Sequence, residues 1–319
     1  MQYQRATIFG ASGFIGRYVV KRLATRGTVI AAVSRHASSA GYLRPMGDVG
    51  QIALIDASLD DEATLAASLV GAEAAVCAVG ILFERGRQRF EAVHHLGAAR
   101  VARLAKAAGV KRFVHISAIG ADPAAPSLYA RTKGAGEAAV RDAFPEATIL
   151  RPSLVFGPED DFFNRFAEMA RFLPALPLIG GGHTRFQPVF AGDVGEAIAL
   201  AVDGEAKPGA IYELGGPDIK SFKELMEFML ATIERRRLLL PVPFAAMKLQ
   251  AMVLQFAPNP PLTPDQVELL KTDNVVAAAA RDEGRTLEAL GIVPNSMAAL
   301  VPGYLWRFRK TGQFTGRTA

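Results

Sequence analysis

Three side chains in the first half of the chain have the types and spacing of a proton-transfer site. Ser117 follows a strand-like run, Tyr129 comes twelve residues later, and Lys133 lies four residues beyond the tyrosine. Tyr and Lys at positions i and i+4 share one face of a helix. An ammonium group there stabilises a phenolate and binds ribose hydroxyls, so the tyrosine can exchange a proton while hydride moves. The spacing predicts a nicotinamide site, in which these three residues are catalytic only if the protein turns over a substrate.

A glycine-rich run near the beginning of the chain predicts where the dinucleotide binds. It follows the first strand-like stretch and reads Gly10-Ala11-Ser12-Gly13-Phe14-Ile15-Gly16. Gly10 and Gly13 allow a sharp turn against a pyrophosphate, Gly16 allows close packing of helix on sheet, and the helix N-terminus offers free N–H groups. The spacing is GxxGxxG rather than the more usual GxGxxG, and an ordinary glycine-rich turn is the alternative.

The residues at the end of the second predicted strand indicate which dinucleotide is bound. Ser34 and Arg35 stand there instead of an acidic residue. A carboxylate would repel a 2′-phosphate, whereas a guanidinium can pair with it, and Arg17 could assist. We therefore expect NADPH rather than NADH. The alternative is that Arg35 is merely a solvated cation on a loop.

Two further positions complete the predicted nucleotide site. Asp56 follows the third strand-like run and is placed either to bind the adenine amine or to cap the next helix. Val79 and Gly80 end the fourth run and would form a wall beside the cofactor.

The order of apolar runs predicts an α/β fold with a doubly wound parallel sheet, because nearly continuous apolar strands imply helices on both faces. The strand-like runs are 6–9, 28–33, 52–55, 74–79, 112–116 and 148–150. The clearest helical patterns between them are 15–25, 62–69, 93–107 and 129–144.

After residue 150 this rhythm weakens, and we predict a smaller, mostly helical carboxy-terminal lobe. Asp193 is a candidate N-cap, and Ser221 with Glu224 predicts a capping box. The predicted organisation is a dinucleotide-binding core at 1–150, a small lobe interleaved with the core at 151–234, and a basic, apolar-flanked docking module at 235–319.

The charge of the chain is unevenly distributed. The net charge is +5, and residues 235–319, with 11 Lys/Arg and 6 Asp/Glu, account for all of it. These cations border an apolar stretch at 238–256, which indicates either a partner-binding or interfacial segment or a lid helix with solvated arginines. We expect contact with a partner or a membrane surface through 235–256.

Several other classes of protein are disfavoured by composition. A single cysteine, Cys77, excludes an intrachain disulfide framework, and no spacing of the five histidines predicts a metal site. The acidic run at 159–161 reads as a solvated turn. There is no apolar signal segment at 1–9, no uninterrupted membrane-spanning run, and no nucleic-acid motif, so we expect a peripheral protein that does not bind nucleic acid.

These motifs, in this order, resemble the short-chain dehydrogenase/reductase superfamily in its extended or atypical branch. The resemblance covers roughly residues 5–235 and includes Arg151-Pro152, where Pro152 is expected to border the cofactor. One departure stands out. Extended members carry an asparagine that shapes the active site, whereas this chain has His94 in the matching run.

A denser match lies between residues 129 and 164 and continues to the aromatic and basic run at 304–310. It resembles the dehydrogenase-like accessory subunit of respiratory complex I, the type called subunit nine of the alpha subcomplex in mitochondria. That resemblance implies an NADPH-binding subunit without turnover, in contact with other complex I subunits near the junction of the peripheral and membrane arms. For a bacterial form it implies the cytoplasmic face of the inner membrane. The alternative is an active NADP(H)-dependent reductase or epimerase acting on a small carbonyl or sugar-nucleotide substrate.

Overall fold

The computed structural model describes residues 5–310. The strands are β1 (Arg5–Phe9), β2 (Val29–Ser34), β3 (Ile52–Asp56), β4 (Ala74–Cys77), β5 (Arg112–Ile116), β6 (Thr148–Pro152), β7 (Val155–Phe156), β8 (Ala175–Ile179), β9 (Arg185–Phe186), β10 (Val189–Phe190), β11 (Ile211–Leu214), β12 (Lys220–Ser221) and β13 (Leu238–Val242). The α-helices are α1 (Phe14–Thr25), α2 (Glu62–Ser68), α3 (Ala98–Ala107), α4 (Leu128–Ala143), α5 (Phe162–Phe172), α6 (Ala191–Asp203), α7 (Phe222–Thr232), α8 (Phe244–Leu254), α9 (Pro264–Leu269), α10 (Ala278–Asp282), α11 (Met297–Leu300) and α12 (Pro302–Leu305).

The chain divides into two compact units that alternate along the sequence. The first contains the chain up to Pro152 together with Ala191–Leu214 and Ala277–Val293. The second contains Ser153–Phe190, Gly215–Val276 and the described residues from Pro294 onward.

A seven-stranded parallel sheet forms the centre of the first unit, in the order β11-β6-β5-β4-β1-β2-β3. The predicted doubly wound α/β fold is confirmed. Strand residues such as Ile8, Ile30 and Val76 are fully buried, as expected of a sheet covered on both faces. Six of the seven strands match runs predicted from the sequence, whereas β11, a strand of four residues, lies in a region predicted to be mostly helical.

Helix α4 is held unusually close to its neighbours. A Cβ atom on Gly136 would lie 2.0 Å from the carbonyl oxygen of His94, and one on Gly134 would lie 2.5 Å from the backbone of Asp122. On the same helix, Glu137 is buried and pairs with Arg151 of β6. Glycine thus sets the separation between α4 and the segment that carries His94.

That segment, Glu91–Gly97, is a π-helix that runs directly into α3. The predicted helix at 93–107 is therefore an α-helix only from Ala98 onward. π-Helical turns are rare in proteins overall, and those that occur are often found at functional sites.

The second unit has its own apolar core and three small two-stranded sheets, β7 with β10, β9 with β12, and β8 with β13. Phe163 of α5 and Phe222, Met226 and Met229 of α7 are buried in this core. The predicted capping box at the start of α7 is confirmed, because Ser221 accepts from Glu224 N–H while the Glu224 carboxylate accepts from Ser221 N–H. Asp193 is not the N-cap of α6, since that helix already begins at Ala191.

The final described segment is fastened to the second unit by polar contacts. The Tyr304 hydroxyl donates to the carboxylate of Asp160 at 2.6 Å, and Arg307 donates to the side chain of Asn164 at 2.7 Å. Asp160 is only 3% exposed, so the interpretation of this acidic run as a solvated turn was wrong at its central residue. Burial raises the pKa of Asp160, and the hydrogen bonds that it accepts oppose that shift.

We predict that Gly136→Ala destabilises the protein by about 1–3 kcal/mol, because the added methyl group would overlap the His94 carbonyl and force α4 outward. Urea unfolding monitored by far-ultraviolet circular dichroism measures this change. Gly303→Ala is the matched control, since this helical glycine has nothing within 4 Å of the added carbon. An unchanged unfolding midpoint for Gly136→Ala would contradict the close packing.

Candidate nucleotide-binding site

An open cleft lies at the carboxyl ends of β1–β4, where ligands bind in doubly wound sheets. The predicted residues that line it are Gly10, Ser12, Gly13, Ser34, Arg35, Val79 and Gly80. The polar residues that also line it and that sequence reasoning missed are Ser58, Asp60, Arg87 and Gln88. The structure thus brings together three segments that were predicted separately, after β1, β2 and β4, and adds the loop after β3.

The glycine loop forms the floor of the cleft. Gly10 has φ +82°, and a Cβ atom there would lie 2.9 Å from the backbone of Ala78. Gly13 is the N-cap residue of α1 and has no side chain that could accept hydrogen bonds from the first N–H groups of the helix. The backbone is therefore shaped for close approach of an anion, with the positive end of the helix directed at it.

The end of β2 supplies one orphaned polar atom and one free cation. Ser34 is 7% exposed, and its Oγ has no hydrogen-bond partner within the described part of the chain. Arg35 beside it is exposed and forms no ion pair with any residue between 5 and 310. A buried hydroxyl without a partner costs free energy unless a ligand or water satisfies it. Together with the open glycine cradle, this arrangement fits a nicotinamide dinucleotide.

Other residues predicted for this site have different contacts in the structure. Asp56 accepts from the Ala37 N–H at 3.2 Å, just beyond β2. It does not cap the next helix, because Asp61 caps α2 through the Thr64 N–H. The Arg17 guanidinium lies over the ring of Tyr42, 5.0 Å from its centroid, and the Tyr42 hydroxyl donates to the Ser12 carbonyl.

The remaining predicted cofactor residues lie around the loop and at the end of β6. Phe14 stacks edge-on against Tyr18, Ala11 is buried and donates its N–H to the Val33 carbonyl, and Ile15 is half-buried. Pro152 is buried and accepts from the Ile119 N–H. These four positions, with Asp56 and Arg17, lie outside the lining of the cleft, and their roles toward a cofactor remain predictions.

Of the serine, tyrosine and lysine, Lys133 lies next to this cleft. Lys133 is buried and donates from Nζ to the Ile116 carbonyl at 3.0 Å, at the end of β5. Its Nζ is 3.6 Å from the position of a Cβ on Gly80, which lines the cleft. Ser117 follows β5, and its buried Oγ has no partner in residues 5–310. The Tyr129 side chain is half-buried on the first turn of α4.

His94 occupies the position of the expected asparagine and is held at both ring nitrogens. The Ile81 N–H donates to Nε2 at 3.1 Å, which requires the proton to be on Nδ1. Nδ1 lies 3.3 Å from Thr132 Oγ1, whose own hydroxyl can donate to the Leu128 carbonyl at 2.9 Å. The imidazole is therefore a neutral connector between the chain after β4 and helix α4.

The same imidazole takes part in an aromatic cluster around the tyrosine. Its ring stacks on Phe90 with centroids 5.2 Å apart and meets Tyr129 edge-on at 5.2 Å. Phe90 also meets Tyr129 edge-on at 5.7 Å. The tyrosine ring is thereby positioned by two aromatic neighbours as well as by its helix.

Burial dominates the electrostatics of this region. Desolvation lowers the pKa of Lys133 to about 8, with the Coulombic effects of Cys77 and Glu137 opposing the shift. It also lowers the pKa of His94 to about 2 and of His115 to about 3, with the nearby Lys133 charge adding to both shifts. Burial raises the pKa of the Cys77 thiol to about 11. At neutral pH the two histidines and the thiol are therefore uncharged.

The depressed Lys133 pKa predicts a specific pH dependence of stability. Between pH 8 and the ordinary lysine pKa near 10.5, the unfolded chain binds a proton that the folded chain has released. Stability attributable to Lys133 must therefore rise with pH across this window. We expect Lys133→Met to abolish that rise. Between pH 7.5 and pH 10, the free energy of unfolding of the wild type should therefore increase relative to that of the variant. Urea unfolding of both proteins at several pH values measures it, and parallel profiles would contradict the buried-lysine assignment.

Comparison with known proteins agrees with this geometry. The NAD(P)H-binding family model matches residues 10–161. The chain is 35% identical to the Arabidopsis thaliana protein NADH dehydrogenase (ubiquinone) 1 alpha subcomplex subunit 9, mitochondrial, over 98% of this chain and 80% of that protein. It is 32% identical to the Mus musculus protein of the same name, over 92% of this chain and 77% of that protein.

Among solved structures, the fold is similar to that of DesIV, a dTDP-glucose 4,6-dehydratase from Streptomyces venezuelae with NAD and TYD bound. The TM-score is 0.70 at 20% sequence identity, over 95% of this chain and 96% of the other. This likeness shows the short-chain dehydrogenase type of fold. Because the sequence similarity to the mitochondrial proteins extends over nearly the whole chain, the chain belongs to the family of NADH dehydrogenase alpha subcomplex subunit 9, the dehydrogenase-like accessory subunits of respiratory complex I with an NAD(P)-binding domain.

Proposed function

We propose that this protein is an NADPH-binding accessory subunit of a proton-pumping NADH:quinone oxidoreductase, with a role in folding and assembly and without turnover of its own. The observation that carries the proposal is the match to the complex I subunit over 98% of the chain, combined with a cleft that offers an arginine where NAD-specific sites have a carboxylate. Because the nucleotide would bind the folded state and not the unfolded chain, its binding would increase the free energy of unfolding.

The preference for NADPH rests on the charge at the end of β2. Arg35 lines the cleft beside the unpartnered hydroxyl of Ser34, and no carboxylate pairs with its guanidinium within residues 5–310. A free guanidinium can form two parallel hydrogen bonds with a 2′-phosphate, which NADH lacks. Backbone N–H groups of the glycine loop would hold the pyrophosphate, and Lys133 and Tyr129 would border the nicotinamide ribose.

The absence of turnover is supported by the way in which His94 is used. Both of its ring nitrogens are engaged, one by the Ile81 N–H and the other by Thr132, and its burial keeps it neutral. It therefore has no free nitrogen with which to carry protons between Lys133 and solvent. The set of Ser117, Tyr129 and Lys133 is nevertheless complete, which favours the alternative of an active NADP(H)-dependent reductase or epimerase.

The surface that we assign to partner contact is the apolar part of residues 235–256. Leu238 of β13 is 67% exposed, and on α8 and just after it Leu249, Val253 and Phe256 are 65%, 73% and 84% exposed. Two of the three neighbouring arginines have internal partners, because Arg235 donates to the Phe308 carbonyl and Arg237 to the Ala170 carbonyl, whereas Arg236 is exposed. The exposed surface here is therefore more apolar than the charge count of the tail suggested.

As part of the same proposal, this surface contacts other complex I subunits near the junction of the peripheral and membrane arms, or the adjacent membrane surface. In a bacterial cell that position is at the cytoplasmic face of the inner membrane, where the protein would be peripheral. No helix within residues 5–310 is long and apolar enough to cross a membrane.

We predict that Arg35→Asp weakens NADPH binding by about tenfold or more, since a charge-assisted bidentate pair is replaced by repulsion, while NADH binding changes little. Fluorescence titration with each nucleotide measures the two dissociation constants. Arg44→Asp, the same charge change at an exposed position nearby, is the control. Equal loss of affinity for both nucleotides would show that Arg35 does not recognise the 2′-phosphate.

The assembly role is tested by recovering the native protein from detergent-solubilised membranes, in parallel with the variant Tyr129→Phe. We expect wild type and variant to comigrate with NADH:quinone oxidoreductase activity and to retain bound NADPH, because the removed hydroxyl is needed for proton transfer and not for binding. The control is a strain that lacks the protein, in which the complex should assemble poorly.

Two results would contradict the proposal. Recovery of the protein solely as a free monomer or homodimer, with none in the complex I fraction, would exclude the subunit role. An NADPH-dependent reductase or epimerase activity that Tyr129→Phe abolishes, with cofactor still bound, would establish the enzyme.

A further inference from the structure

The loop that follows β4 is attached to the rest of the first unit at both ends. We call residues 81–89 the covering loop. At its first residue, the Ile81 N–H donates to His94 Nε2 at 3.1 Å. Toward its end, the Glu84 carboxylate accepts from the Phe90 N–H at 2.8 Å and from Arg89 at 3.3 Å. These contacts tie the loop to the π-helix and hold it in place beside the cleft.

A tight turn within the covering loop presents one arginine to the cleft. The backbone N–H and carbonyl of Arg85 bond to those of Gln88 at 2.9 Å, which leaves Gly86 and Arg87 as the two central residues. Gly86 has φ +54°, as expected of glycine at the first central position of a type II′ turn. Arg87 and Gln88 both line the cleft.

The charges around Arg87 leave it available to an anion. Arg89, its neighbour on the loop, is already paired with Glu84. Asp60, the acidic residue that lines the cleft, lies 3.4 Å from Arg100 and is partly neutralised by it. Arg87 is exposed and has no ion-pair or hydrogen-bond partner for its side chain among residues 5–310. It therefore faces the same cleft as Arg35 and the glycine loop with its full charge unpaired.

We propose that Arg87 binds a phosphate group of the dinucleotide, and that the covering loop thereby retains the cofactor in its cleft. The inference rests on the proposed nucleotide binding and adds a residue outside the glycine loop and the end of β2. A guanidinium that approaches from the loop adds a charge-assisted hydrogen bond to the bound state. Since this contact must break before the nucleotide leaves, its main effect is on the dissociation rate.

The test is the dissociation rate of NADPH from purified protein, measured as the loss of bound nucleotide fluorescence after addition of excess NADP⁺. We expect Arg87→Ala to release NADPH about tenfold faster than the wild type does. The release rate of Arg87→Lys should lie between those of Arg87→Ala and the wild type. Arg85→Ala is the matched control, because it removes an exposed arginine from the same turn that does not line the cleft. The accelerated release should be most evident at low salt, as expected for an exposed ionic contact.

Two nucleotides distinguish which phosphate is bound. If Arg87→Ala accelerates release of NADPH and NADH equally, the contact is to the pyrophosphate, and if it affects NADPH alone, the contact is to the 2′-phosphate. Equal release rates for wild type and Arg87→Ala with both nucleotides would overturn the inference. Failure of the wild-type protein to bind either nucleotide would instead refute the proposed function, so the two failures are separable.

Discussion

The ion pair between Glu137 and Arg151 is the interaction on which the nucleotide site depends. Glu137 is 2% exposed, and the guanidinium meets its two carboxylate oxygens at 2.8 and 2.6 Å. Hydrogen bonding to Glu137 raises the pKa of Arg151. Breaking a buried pair by removing one partner costs about 3–5 kcal/mol. The pair joins α4 to the end of β6 and so fixes the helix that carries Tyr129 and Lys133.

With α4 fixed, the site has two parts of different character. The part next to the glycine loop and Arg35 is open and positively charged, and it is suited to phosphate groups. The part around Lys133 and His94 is buried, and its groups are engaged by backbone carbonyls, N–H groups and aromatic rings. This division is what the proposed structural use of a nucleotide requires, because the phosphate-binding part is open to the ligand while Lys133 and His94 are held in place.

The second unit uses its charged residues in a similar way. Tyr304, Arg307 and Arg235 all bond to groups within that unit, so the aromatic and basic end of the described chain is an internal fastening. The exposed apolar side chains of β13 and α8, with the exposed Arg236 beside them, face outward. Net charge located this segment in the sequence, but the hydrogen bonds of the arginines determine which of its atoms face outward.

The sequence alone determined the parallel sheet, the glycine loop and the tyrosine–lysine pair, because each depends on local periodicity or on residues close together in the chain. Only the tertiary structure decided the contacts of His94 and the position of Arg87, since both depend on how separate segments meet: His94 spans the Ile81 N–H and Thr132, and Arg87 lies in a turn that lines the cleft. Strand β11 was also beyond local patterns, because a strand of four residues gains its stability from its neighbour β6.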